Sequence, residues 1–190
     1  MSFIIPDWLI WPGVFFVLLY RRIRFGYAFR RIALTKGKYA IIDPDDYQRL
    51  SQYRWYPAKT RSTVYAYRFD KWVKGRKRKS HLMHREIIQT PDGLVCDHIN
   101  GNGLDNRKAN LRPATYAQNS WNRAKGKVKS RSKYKGLALH KKTGKWQVQI
   151  SVNGRRIHLG CFKDQVQAAK AYDKAAIKYH GRFANLNFES

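Results

Sequence analysis

Residues 145–162, KWQVQISVNGRRIHLGCF, restrict the possible folds more than any other stretch of the chain. Trp146, Val148, Ile150 and Val152 alternate with Gln147, Gln149 and Ser151. A strand turns successive side chains to opposite faces, so the first set makes a core face and the second a polar one. Asn153-Gly154 suits the tight turn of a hairpin, because both residue types accept positive φ. On the returning strand Ile157 and Leu159 point inward, Arg156 and His158 outward. KGLALHKK supplies a third strand through a turn at Thr143-Gly144. The helix KDQVQAAKAYDKAAIKYHG follows, with Ala168, Ala169, Tyr172, Ala175, Ala176 and Tyr179 at helical spacing and Gly181 as its stop. The expectation is a small three-stranded antiparallel sheet packed on one helix.

Charge identifies the partner class. The chain carries 39 Lys and Arg against 12 Asp and Glu, a formal charge of +27, so it should bind polyanions in a salt-dependent way. Nucleic acid is the first such partner to consider. RAKGKVKSRSKYK, residues 123–135, has seven basic residues, no acid and no apolar periodicity. It reads as a linker between two small domains, which is what 190 residues can build. Cys96 and Cys161 are far apart and form no C-x-x-C pair, so neither a disulfide framework nor a thiolate zinc site is encoded. Both are expected as small buried hydrophobes in a reducing, intracellular setting alongside DNA.

Residues 3–20, FIIPDWLIWPGVFFVLLY, are apolar but interrupted by Pro6, Asp7, Pro12 and Gly13. The unbroken part is short for a bilayer span. A secretory signal places its positive charge before the apolar run, whereas Arg21, Arg22 and Arg24 follow it. Residues 1–30 are therefore taken as an N-terminal extension, with a membrane anchor through residues 3–20 as the alternative.

From Ile32 onward the pattern is one of short strands and turns. KYAIID reads as a strand, Asp43-Pro44-Asp45 as a turn with a helix N-cap, and DDYQRLSQY as a short helix. RWYPA, TVYAYRF and RKSHLMH read as strands, with the basic tip KGRKRK joining the last two. TYAQNSWNRA has helical spacing.

Between these lies VCDHINGNGLDNRKANLR, residues 95–112. A calcium loop is excluded, because Ile99 stands at its third position and Lys108 at its twelfth, where a Glu is needed. Asn, Asp and Gly also favour plain turns. Metal-assisted cleavage of a phosphodiester needs a hard oxygen ligand and a base to activate water. Asp97 and His98 offer both, although neighbours on a strand face opposite ways, and the sequence leaves their arrangement open.

The pattern D97-H98-I-N-G-N, then N110-L-R, then Q118-N119 resembles the HNH endonuclease family of the homing type, with its ββα-metal fold. His98 stands twelve residues before Asn110 and twenty-one before Asn119, spacings that suit a hairpin followed by a helix. Upstream, HLMHREI resembles the segment preceding that motif. The resemblance implies that Asp97 and Asn119 are metal ligands for Mg2+ or Mn2+, that His98 is the general base, and that Asn110 braces the loop by side-chain to backbone hydrogen bonds. His81 and His84 are secondary candidates near such a metal.

The segment from Tyr134 to Phe188 resembles the plant ethylene-response-factor (AP-two/ERF) DNA-binding domain, through YKG, GKWQVQI, LGCF, AAKAYDKAA and NLNF. In that family the sheet lies in the major groove, backed by the helix. The implied contacts fall on Lys135, Ala138, His140, Gln149, Ser151, Arg156 and His158, and alternation adds Gln147 to the same face. The resulting expectation is an α+β chain: an N-terminal extension (1–30), an HNH endonuclease domain (31–122), a basic linker (123–133) and a DNA-reading domain (134–188). Its function would be metal-dependent hydrolysis of double-stranded DNA at a site chosen by the C-terminal module, with no protein partner implied. The competing reading is a non-catalytic, sequence-specific DNA-binding protein with a degenerate HNH domain.

Overall fold

A computed structural model describes residues 7–60, 62–125 and 131–188. Among the described residues the chain is mixed α/β, built of small antiparallel sheets and five α-helices, and it divides into two compact units. The first unit holds the described residues up to Thr60, Val64–Gln89 and Asn102–Arg112. The second holds residues near 62, Thr90–Gly101 and Pro113 onward.

In the first unit the interrupted apolar run forms helix α1 (Asp7–Phe25). No helix among the described residues is long and apolar enough to cross a membrane. Arg21 donates to the Phe29 carbonyl and lies 4.4 Å from the centre of that ring, tying the helix to the next strand. Strands β1 (Arg30–Ala33) and β2 (Tyr39–Ile42) pair antiparallel, and helix α2 (Tyr47–Ser51) follows a 3-10 turn at Pro44–Asp46. Strands β3 (Tyr56–Lys59), β4 (Val64–Phe69) and β5 (Ser80–Leu82) form an antiparallel sheet in that order. The basic tip between β4 and β5 is exposed, and its base is closed by the Asp70 N–H on the Lys79 carbonyl at 3.0 Å.

Ile32, Leu34, Ala40, Ile42, Leu50, Trp55, Ala66 and Met83 fill the core of this unit. Trp55 satisfies its indole N–H on the Leu50 carbonyl at 2.8 Å. The strand expected through His84 stops at Leu82, and Met83–Ile87 form helix α3. Met83 and His84 are both buried, and consecutive residues of a strand over one core cannot both turn inward, whereas a helix allows it. The segment after residue 101 docks on β2, with the Ile41 N–H on the Leu104 carbonyl (2.8 Å) and the Asn106 N–H on the Ile41 carbonyl (2.7 Å). Only glycine fits at 103, because a Cβ would lie 2.6 Å from the Val64 carbonyl and from the Tyr65 ring.

The second unit begins with strand β6 (Val95–His98), all four residues of which are buried. It pairs with β7 (Leu111–Ala114), of which Pro113 and Ala114 belong to this unit. Helix α4 (Tyr116–Asn122) starts from a capping box: the Thr115 hydroxyl accepts from the Gln118 N–H, and the Gln118 side chain accepts from the Thr115 N–H. Val95, Ala114, Trp121 and Phe183 pack into a small core.

Strands β8 (Leu137–Leu139), β9 (Trp146–Val152) and β10 (Arg155–Phe162) form the expected sheet, and helix α5 (Gln165–His180) packs on β9 and β10. Val148 and Ile150 meet Ala168, Ala169, Tyr172, Ala175 and Ala176 in the core, with Ile157 and Leu159 against it. The inward stripe of α5 ends on His180, which is buried, while Tyr179 is exposed. Gly136 is required beneath Tyr172, since a Cβ there would lie 1.9 Å from the ring. The C-terminal Asn187 joins two distant points: its N–H bonds the Asp173 carboxylate (2.9 Å), and its side chain accepts from the Lys135 N–H (2.6 Å).

Cys96 is buried as expected, but Cys161 is exposed. The register between β9 and β10 shifts between His158 and Gly160. That bulge inverts the alternation, so Cys161 sits opposite Gln147 on the outer face.

Candidate functional site

Strand β6 ends on Asp97 and His98, which are 3% and 5% exposed. The chain turns immediately after the strand, with the Gly101 N–H on the His98 carbonyl at 2.8 Å. Helix α4 supplies the facing side chain. The Asn122 amide lies 3.0 and 3.1 Å from the two Asp97 carboxylate oxygens, 2.8 Å from the His98 carbonyl and 3.3 Å from that of Ile99. An NH2 group has two hydrogens for these acceptors, so it sits where carboxylate and strand end converge and fixes one against the other.

Asn119, the expected helix residue, is half-buried one turn earlier. Its N–H bonds the Thr115 carbonyl at 2.9 Å, and among the described residues its side chain makes no hydrogen bond. Asn122, whose amide reaches the Asp97 carboxylate, is the residue that motif spacing missed. The available signal was N119-x-x-N122, two amides three apart on a helix and therefore on one side of it.

Asn110 belongs to the first unit, where it is buried and its amide donates to the Asp105 carbonyl at 2.8 Å. Asp105 in turn holds Arg107 through two bonds of 2.7 and 2.6 Å, and the guanidinium lies 3.5 Å from the centre of the Tyr27 ring. The bond to Asp105 raises the Arg107 pKa above its ordinary value. His81 and His84 are in the first unit as well. His81 pairs with Asp70 at 2.7 Å, and His84 packs edge-on against Tyr65.

Among the described residues, no three His, Cys, Asp or Glu side chains gather to hold a metal ion. The Asp97 surroundings offer a different set, one buried carboxylate facing a helix that carries the amides of Asn119 and Asn122. Carboxylate and amide oxygens are the donors that a hard cation such as Mg2+ or Mn2+ takes. Asp97 and the Asn119 amide are donors of that chemical type, while Asn122 turns its NH2 to the carboxylate.

The outer face of the β8–β10 sheet carries His140, Gln147, Gln149, Ser151, Arg156 and His158, together with Ala138 and Cys161. Gln149 stands opposite His158 and Ser151 opposite Arg156. His158 lies between Gln147 at 3.4 Å and the Cys161 thiol at 3.9 Å. Lys135 is directed elsewhere: its ammonium donates to the carbonyls of Trp121 and Arg123 at the end of α4, the latter at 2.7 Å. Burial lowers its pKa from the usual lysine value to about 8. Its ammonium thus reaches two backbone carbonyls, whereas the other expected contacts lie on the outer face of the sheet.

Comparison with known proteins bears directly on the β6–α4 geometry. Residues 89–121 match the HNH endonuclease family model. The matched window contains Asp97, His98, Asn110 and Asn119 and ends one residue before Asn122. An uncharacterized HNH endonuclease of Acanthamoeba polyphaga mimivirus is 29% identical over 161 residues, which are 84% of this chain and 80% of that protein. The C-terminal region has plant relatives. APETALA2-like protein 2 of Oryza sativa subsp. indica is 42% identical over 66 residues, 34% of this chain. An AP2-like ethylene-responsive transcription factor of Arabidopsis thaliana is 40% identical over 57 residues, 30% of this chain. The chain spans only 15% and 12% of the lengths of these two plant proteins.

Proposed function

We propose that this protein is a metal-dependent DNA endonuclease of the HNH homing type. Residues 31–122 carry a ββα-metal catalytic site, residues 123–133 link, and residues 134–188 select the target. The observation that carries this reading is the buried Asp97-His98 strand end facing Asn122 of α4, within and beside the window that matches the HNH family.

In this reading Asp97 and Asn119 hold Mg2+ or Mn2+, and Asn122 orients the Asp97 carboxylate. When bound, such a cation would supply Lewis-acid stabilisation of the negative charge that builds in the reaction. His98 takes the proton of the attacking water as that water's oxygen bonds to phosphorus and the P–O3′ bond breaks, the 3′ oxygen leaving to take a proton from solvent. Asn110 keeps the intervening loop compact through the Asp105 carbonyl. His140, Gln147, Gln149, Ser151, Arg156 and His158 face base edges in the major groove, where Gln pairs with adenine and Arg with guanine. The net charge of +27 supplies the sequence-independent hold on phosphates.

The direct test is incubation of the full chain with supercoiled plasmid. Conversion to nicked or linear DNA is expected with Mg2+ or Mn2+ and should stop on addition of EDTA. DNA binding with no cleavage under either cation would favour the second reading, a non-catalytic DNA-binding protein, which the similarity to plant transcription factors supports.

The exposed Cys161 thiol tests the reading face separately. A maleimide should label Cys161 and spare buried Cys96, and saturating duplex should slow the labelling of Cys161. Unchanged labelling in the presence of saturating DNA would remove this face from the interface.

A further inference from the structure

We propose that the C-terminal module is a structural component of the nuclease site as well as its targeting device, with Lys135, Trp121 and His180 forming the joint that fixes α4. The inference rests on the nuclease reading above and adds residues to it.

Helix α4 has seven residues, too few to hold its own shape in water, so its placement depends on what grips it. The capping box secures its first turn. Its last carbonyls have no partners within the helix, and Lys135 supplies them by donating to Trp121 and Arg123. A cation there also complements the negative end of the helix dipole. Lys135 is itself immobilised, because Asn187 accepts its N–H and donates to its carbonyl, while Asp173 on α5 holds Asn187. Lys125, beyond the end of α4, donates to the carbonyls of Ser132 and Tyr134 and so draws the two sides of the basic segment together.

The flank of α4 is gripped as well. Trp121 stacks on His180 with ring centres 4.4 Å apart and planes inclined by 8°. It also joins Phe183, just after α5, in the small core with Val95 and Ala114. His180 Nε2–H donates to the Ser151 carbonyl at 2.9 Å, and Ser151 lies on the middle strand of the reading sheet. Burial lowers the His180 pKa, in keeping with a neutral ring stacked on the indole. The path from reading face to reacting groups is therefore contiguous: Ser151, His180, Trp121, then its neighbour Asn122, then Asp97.

On this basis Lys135 is a positioning residue. Lys135→Met should lower kcat for plasmid nicking by at least about tenfold, the order of loss that follows a small misplacement of reacting groups, while leaving Kd nearly unchanged. Lys135→Arg, which keeps charge and donors, should restore most of the lost kcat. Hydrogen exchange of the α4 amides should accelerate in Lys135→Met and in Trp121→Ala but not in strands β3–β5. The exchange readout needs no cleavage, so a chain with no nuclease activity would refute the catalytic reading and still leave the joint decidable. Weaker DNA binding in Lys135→Met, with a salt slope reduced by about one and kcat intact, would mark Lys135 as a phosphate contact and overturn the proposal. So would unchanged α4 exchange. Should Lys135→Met fail to fold, Lys135→Gln is read in the same two assays against the same outcomes.

Discussion

His98→Ala is expected to slow DNA cleavage by about 10²–10⁴-fold, the usual contribution of a positioned general base. The Kd for duplex DNA should stay within about twofold, because affinity arises from phosphate contacts made by the cationic side chains. Two features lead to this separation. His98 is 5% exposed at the end of a buried strand, so it adds little to the protein surface open to a phosphate backbone. The main-chain bonds at His98, to Gly101 N–H and to the Asn122 amide, use its carbonyl and survive the substitution. Single-turnover cleavage and gel-shift titration of the same preparation measure the two quantities. A parallel loss of binding and cleavage would refute the role of His98 as base.

The parts of this fold that were legible in the sequence are those set by local pattern. The alternation from Trp146 to Val152 predicts which side chains enter the core, and Val148 and Ile150 are there. Arg156 and His158 face outward for the same reason. The pattern failed where one backbone irregularity shifted it. Gly160, with φ 121°, sits in a bulge that exposes Cys161, and a glycine inside a strand was the only warning in the sequence. Met83 and His84 are buried in a helix where the local pattern reads as the end of a strand.

Asp97 and His98 were recognisable from a motif, whereas the residues that hold them were not. Lys135 lies 14 residues from Trp121 across a segment whose composition is that of a linker, and its destination depends on where Asn187 and Asp173 anchor it. Asn122 lies three residues beyond the last motif position, and the sequence does not express which amide of α4 faces the carboxylate.

Asn122 therefore gives the other large expected effect. Its amide is buried between the Asp97 carboxylate and the carbonyls of His98 and Ile99. Asn122→Ala removes the donor and leaves a buried charge short of a hydrogen bond, which costs about 1.5–3 kcal/mol. For a chain of this size the corresponding fall in Tm is about 3–12 °C. Cleavage should drop by about 10²-fold or more, since the carboxylate loses its orientation. Asn122→Asp is the more telling substitution because it sets a second carboxylate against the first. Two like charges that close cannot both ionise freely, so the folded-state pKa of the pair rises above the unfolded value. A raised carboxyl pKa means that the folded state holds more protons than the unfolded one, so stability is present at acid pH and is lost as pH rises through the folded pKa. The Tm of Asn122→Asp relative to the parent chain should thus be highest near pH 4, the ordinary carboxylate range, and should fall toward neutrality. Mg2+ or Mn2+ at neutral pH should recover part of that loss, because a hard cation between two carboxylates offsets their repulsion. Thermal melts across pH, with and without the cation, measure both effects. A parent-like Tm in Asn122→Ala, or a pH-independent Tm difference in Asn122→Asp, would mean that Asn122 does not hold Asp97.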